Sequence, residues 1–233
     1  MRLIQRVLRV CYILIVSFAA SSVLLAVYTN VSTKYTAQDK AVFEYTLHLK
    51  PLRHPQTFAR EIEAIRFIQQ GTFTIVPKNA SKHDHKVREP AEFLGMREGI
   101  CYDRSRLTDK AIGYIGLPSR HAFLLYRQGD RGFLSSVFLY HNLSHAVTEV
   151  KTSKGWMLVD SATEWIALTR DGQVVNADDL WKRSKEFNVI PSSLVGPWWA
   201  IRGMYSRHGY LYPPYIFFPD FSWHDFFNRL IFG

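Results

Sequence analysis

Three residues of the 233-residue chain have the types that acyl transfer needs: Cys101, His145 and Asp160. A thiol attacks a carbonyl only as its thiolate. Cys101 stands in the first turn of a predicted helix, and Gly99 just before it permits a tight approach. A helix N-terminus carries roughly half a positive charge and several unpaired N–H groups. It therefore stabilises a thiolate, and the same N–H groups can hold the oxyanion formed during acyl transfer. A nearby imidazole forms an ion pair with the thiolate and later protonates the leaving group. His145 opens a predicted strand, and Asp160 closes the next one across a short turn. Antiparallel pairing brings the start of one strand beside the end of its neighbour. An Asp–imidazole hydrogen bond there fixes the tautomer and orientation of the ring.

Each residue alone has a plainer reading. A single core cysteine is usually inert packing, a histidine at a strand edge is usually a satisfied polar group, and Asp160 before Ser161 suits a turn. Their joint occurrence, with glycine before the cysteine and a workable strand pairing, favours the catalytic reading. Cysteine usage supports it. Cys11 lies in an N-terminal apolar run, so Cys101 is alone in the rest of the chain. Exported proteins usually pair their cysteines or lack them.

The elements that position these residues are set by periodicity. Thr57 to Gln70 reads as an amphipathic helix with Phe58, Ile62, Ile65 and Ile68 near one face, ended by Gly71. Cys101 to Ile115 is a second helix, closed by Gly116 with Pro118 beyond. Strands are predicted over Arg120 to Tyr126, Phe133 to Tyr140, His145 to Val150 and Trp156 to Val159, with turns at residues 128–132 and 151–155. Helices followed by hairpin-linked strands indicate an α+β class, helices packed on an antiparallel sheet. Tyr35 to Leu52 reads as a linker with an irregular entry. Thr72 to Arg88 reads as a polar loop; its His83-Asp84-His85 triplet lacks a third metal ligand nearby.

The uncharged run from Val10 to Thr33 begins with an apolar stretch long enough to cross a bilayer. Arg2, Arg6 and Arg9 precede it and Lys34 comes after it, so the positive-inside rule keeps the N-terminus in the cytoplasm. The chain is expected to be a single-pass membrane protein with its catalytic domain on the periplasmic or extracytoplasmic side. A cleaved signal peptide is the competing reading, but the run is too long and lacks a clean A-x-A site. Three segments result: 1–33 as stub and anchor, 34–197 as the main domain, and 198–233 as an aromatic-rich extension. In the extension, Pro213, Pro214 and Pro219 argue against regular structure. Asp220 to Phe232 carries a helical apolar stripe through Trp223, Phe226, Phe227, Leu230 and Ile231. It fits either a docking helix or a helix in the membrane interface. The aromatic residues also suit stacking on envelope sugars.

The net charge is +9, of which the three anchor arginines account for +3. The remaining +6 suits an anionic surface or a solvated basic face and does not indicate nucleic acid. With 47% hydrophobic residues, disorder is excluded. No phosphate loop, zinc set, calcium loop or nucleotide fingerprint is present, so no cofactor and no metal are expected.

The strings GICYD, GLPSR, SHAVTEV and WMLVDSAT resemble the core of the transglutaminase-like superfamily, over about Glu92 to Thr163. The resemblance implies a papain-like cysteine-protease fold, with Cys101 as nucleophile, His145 as general base and acid, and Asp160 as the residue that orients His145. Arg120 and Asp103 match supporting positions. Where the family often has an aromatic residue two positions after the histidine, this chain has Val147, a change that bears on the acyl-acceptor channel. The oxyanion side chain varies in the family; Gln69 and Gln70 are candidates, and His121 is a further residue to place. The resemblance implies a thiol-dependent amide hydrolase or acyltransferase. Its substrate is expected to be a protein, peptide or peptidoglycan-type amide, possibly glycan-linked. Small anchored members are, by the resemblance, hydrolases more often than cross-linkers. The alternatives are a non-catalytic envelope or polysaccharide-binding module of the same fold and an enzyme that moves acyl groups on a glycan.

Overall fold

The computed structural model of the protein describes residues 2–78, 89–137, 139, 142–205 and 220–232. Helix α1, Arg2–Thr29, leads the chain. Its portion Ile4–Thr29 is long and apolar enough to cross a membrane, and its most apolar stretch stands clear of the rest of the protein. Ser22 and Thr29 return their hydroxyls to the carbonyls of Phe18 and Leu25 at 2.8 and 2.9 Å. These polar groups are thus satisfied within the helix, as an apolar surrounding requires.

The chain then enters helix α2, Ala37–Ala41, which continues as a π-helical turn over Val42–Thr46. This replaces the irregular entry expected over Tyr35 to Leu52. Thr36 caps α2 by accepting from the Asp39 N–H, and Asp39 accepts from the Thr36 N–H, each at 3.0 Å. Phe43 and Leu49 enter the main core fully buried. Helix α3, Phe58–Ile75, is capped by Thr57 and runs through Gly71 instead of ending there. Glycine is accepted because a Cβ at position 71 would come within 2.5 Å of a Leu47 methyl. Packing, and not helix termination, explains the residue. The His83-Asp84-His85 triplet lies outside the described residues.

Helix α4, Pro90–Met96, precedes the central helix α5, Cys101–Tyr114. Strands β1, Ser119–Tyr126, β2, Ser144–Thr152, and β3, Gly155–Val159, come next, and β4, Trp198–Arg202, completes the sheet. The order is β3-β2-β1-β4, with every neighbour antiparallel. Helices packed on an antiparallel sheet make the fold α+β. The strand expected over Phe133 to Tyr140 is not one: Phe133–Val137 form helix α6. Both long edges of β1 are already taken, by β2 and β4, and the Ser135 and Ser136 hydroxyls bond the Gly132 carbonyl at the helix start.

The extension expected from residue 198 begins instead as an edge strand of the central sheet. β4 precedes the three prolines of that region, which lie outside the described residues with the aromatics Tyr210 to Phe218. A two-stranded ribbon of β5, Met204–Tyr205, and β6, Asp220–Phe221, leads into helix α7, Trp223–Phe232.

Helix α5 is polar in sequence but buried along most of its length. Buried charges need partners, and it has them. Arg106 meets Glu89 at 2.5 Å, and Lys110 meets Asp39 at 3.1 Å as well as Glu89. Through the sheet, Glu149 holds Arg202 by two bonds of 2.8 Å and Arg120 by a third. Val31, two residues past α1, joins Tyr102, Ala146 and Tyr205 in a small buried cluster against which Ile100 and Cys101 pack.

Candidate active site

Cys101 is the first residue of α5 and is half-buried. Gly99 turns the chain into it at φ +154°, where a Cβ would meet Val76 at 2.7 Å and Asp103 at 2.9 Å. The Asp103 carboxylate accepts the Ile100 N–H at 2.8 Å, tying down the entry to the helix.

His145 lies near the start of β2. In the register of β2 and β3, Thr148 faces Val159, which brings Asp160 alongside the first residues of β2. The His145 Nε2 and an Asp160 carboxylate oxygen are 2.6 Å apart. The other Asp160 oxygen accepts from the Thr163 N–H at 2.9 Å and the Thr163 hydroxyl at 2.7 Å. With Nε2 committed to Asp160, Nδ1 is left for the sulfur, and the imidazole hydrogen-bonds Cys101. The structure thus brings the three residues singled out in the sequence into one chain of contacts.

The electrostatics arise from that chain. Burial pushes the Cys101 thiol up, but the His145 hydrogen bond and charge, the Ala146 N–H and the Arg104 guanidinium outweigh it and bring the thiol below its ordinary value. Burial pushes His145 down, yet its bonds to Asp160 and Cys101 raise it to about 10. Burial also opposes ionisation of Asp160, and the His145 bond overcomes this, holding the carboxyl below the ordinary aspartate value. The directions favour charge on each partner: a thiol made easier to ionise, beside an imidazole held protonated and flanked by a carboxylate.

Two supporting side chains were not legible as such. Gln69 does not face the thiol. Its amide nitrogen lies 2.8 to 3.0 Å from the carbonyls of Asp160, Thr163 and Trp165, so it fixes the loop that presents the carboxylate. Gln70 reaches Glu164 at 3.3 Å. Both amides are thus committed to partners other than the thiol. Arg104, one turn along α5 from Cys101, sends Nε to the Ser161 carbonyl at 2.5 Å and Nη1 to Pro77 and Gly99 carbonyls at 3.2 and 3.4 Å. It joins the segment before the cysteine to the segment after the aspartate. The Ser161 hydroxyl closes the frame by donating to the Ala146 carbonyl. The signal for Gln69 was a polar residue on the apolar face of α3. For Arg104 it was its place three residues after Cys101.

The remaining residues singled out take structural places. Arg120 pairs with Glu149 and lies 3.9 Å from the Trp156 ring centre. Val147 is fully buried in the main core. His121 stands away from the thiol: it meets Ser105 at 2.8 Å and stacks on Tyr205 at 3.8 Å. Burial lowers it to about 3, so it is neutral.

No curated protein and no solved structure matches the chain. The model of the transglutaminase-like superfamily matches residues 50–161, the stretch that contains Cys101, His145 and Asp160. The stretch from residue 50 to residue 161 is thus a transglutaminase-like domain.

Proposed function

We propose that this domain is a thiol-dependent amide hydrolase or acyltransferase that works through an acyl-enzyme. The observation that carries the reading is the continuous contact from Asp160 through His145 to Cys101, with the carboxylate 2.6 Å from the imidazole. The Cys101 thiolate adds to the amide carbonyl, and the Cys101 N–H, which has no partner within the helix at its first position, faces the developing oxyanion. His145 gives its proton to the departing amine, leaving a thioester on Cys101. Water or a second amine, deprotonated by His145, then attacks the thioester and releases the thiolate. Asp160 holds the ring in the orientation both steps need.

The substrate class is a protein, peptide or peptidoglycan-type amide. The arginines in the first turns of α1 favour an extracytoplasmic domain, with α1 as the anchor. Incubation with an activated acyl ester followed by mass spectrometry tests the chemistry. The expected result is one acyl group on Cys101 that is lost to water or to added amine, and no adduct in Cys101→Ser. An unmodified Cys101 in the wild-type chain, with no turnover, would sink the enzyme reading and favour a binding module.

A further inference from the structure

Helix α7 is fastened to the end of α1. The Trp223 indole N–H donates to the Ala26 carbonyl at 2.9 Å. The Val31 N–H donates to the Phe221 carbonyl at 2.7 Å, and Asn30 bridges to Phe221. Ala26 lies inside the apolar span, one turn before its end. The span has 26 residues, or about 39 Å at 1.5 Å per residue. A hydrocarbon core is about 30 Å thick. The last turn of α1 therefore sits at the boundary between acyl chains and headgroups, and Trp223 sits beside it.

The described side chains of α7 beyond Trp223 divide by direction. Asp225 is buried, and Phe226 packs edge-on to both Phe221 and Trp223 at 5.8 Å. Phe227, one turn beyond Trp223, stacks against it at 5.9 Å and is 50% exposed. Val27 and Tyr28 on α1 are exposed as well. Aromatic side chains at this depth are the usual interfacial anchors, and a short helix with one apolar face lies in the interface plane.

We infer that α7 is seated in the headgroup region of the bilayer, with Trp223 and Phe227 as its anchors, so that the domain rests on the membrane surface. The inference depends on α1 crossing the membrane. It commits to lipid because the exposed rings continue directly from the lipid-facing end of α1, while the inward residues are already packed on protein.

Site-directed spin labelling of the full chain in phosphatidylcholine–phosphatidylglycerol vesicles tests it, with Cys11→Ser and Cys101→Ser as background. Labels go at Phe227→Cys, at Val16→Cys within the span, and at Val195→Cys, an exposed site just before β4. Accessibility to oxygen is compared with accessibility to a water-soluble nickel complex. The expected oxygen-to-nickel ratio at 227 is several-fold above that at 195 and below that at 16. A ratio at 227 equal to that at 195, with 16 deep in the bilayer, overturns the seating of α7 alone. A label at 227 shielded from both reagents points to a protein covering the patch and also overturns it. If 16 is as open to nickel as 195, the anchoring itself is wrong and the seating falls with it. Trp223→Phe gives an independent readout: quenching of tryptophan fluorescence by brominated lipid should fall by more than in Trp181→Phe, and an equal fall counts against the proposal.

Discussion

Asp160 uses its two oxygens for two different tasks. One lies 2.6 Å from His145, and the other is held by the backbone and hydroxyl of Thr163. The carboxylate is therefore immobilised before it orients the ring. Asp160→Asn should lower kcat/KM roughly 10²–10⁴-fold by favouring the wrong tautomer. Thr163→Val, which removes one of the two bonds to the second oxygen, should cost far less. Steady-state kinetics on any turned-over acyl ester checks the order; equal losses would mean that Asp160 acts only through its loop.

The thiol should react as a thiolate at neutral pH. With Cys11→Ser as background, the alkylation rate of Cys101 by iodoacetamide should be nearly flat across neutrality and change again near pH 10, where His145 loses its proton. His145→Ala should move the lower limb up toward the ordinary thiol range near about 8.5. Identical profiles in both proteins would refute the ion pair. The same interaction affects folding. His145 is raised in the fold, so its stabilisation is full below the ordinary imidazole value and is lost as pH rises through about 10.

Gln69 supports a loop, and its loss should show in both stability and rate. Gln69→Leu leaves the carbonyls of Asp160, Thr163 and Trp165 without this donor. An unmade buried bond costs about 1–3 kcal/mol. Thermal unfolding should shift down accordingly, with kcat falling and KM little changed. A variant of wild-type rate would show that the loop holds itself.

Glu149, fully buried, carries Arg202 and Arg120 and accepts the Ala177 N–H. Breaking one partner of such a pair costs about 3–5 kcal/mol. Arg202→Met should do so, as read by chemical denaturation. Burial raises the Glu149 carboxyl, but the two arginines and that N–H bring it to about 2. Its stabilisation is therefore present above the ordinary glutamate value and is lost as pH falls through about 2.

The opposite sign applies to Asp109 on α5. Burial and the nearby Asp225 raise it to about 7, against the pull of Ser119, Arg106 and Lys110. A carboxyl raised in the fold stabilises most below its unfolded value, so stability should decline as pH rises from about 4 to about 7. Asp109→Asn should flatten that part of the profile. An unchanged decline would assign it to other groups.

The meeting of Cys101, His145 and Asp160 was legible because each sits at a junction that local rules mark: a glycine before a helix, a strand start, a strand end before a turn. The helix at Cys101 and the strands β1, β2 and β3 share that clarity. The misses have one cause, tertiary context. Phe133 to Tyr140 has strand composition, but the edges of β1 are occupied. Gly71 carries a helix-stop signal that close packing on Leu47 overrides. β4 has ordinary strand composition, but the prolines further along its segment masked it. The framing roles of Gln69 and Arg104 depend on carbonyls up to 96 residues away, which no local window contains.

The exit of α1 is tied down close to Cys101. Val31 packs with Tyr102, the neighbour of Cys101, and its N–H is bonded to Phe221. A catalyst on a long leash sweeps a hemisphere above its anchor. If the proposed function holds and α1 crosses a bilayer, this domain would instead work in a thin layer at constant height. Substrates sharing the membrane plane would then meet it by a two-dimensional search, whereas amides farther from the surface would stay beyond its reach.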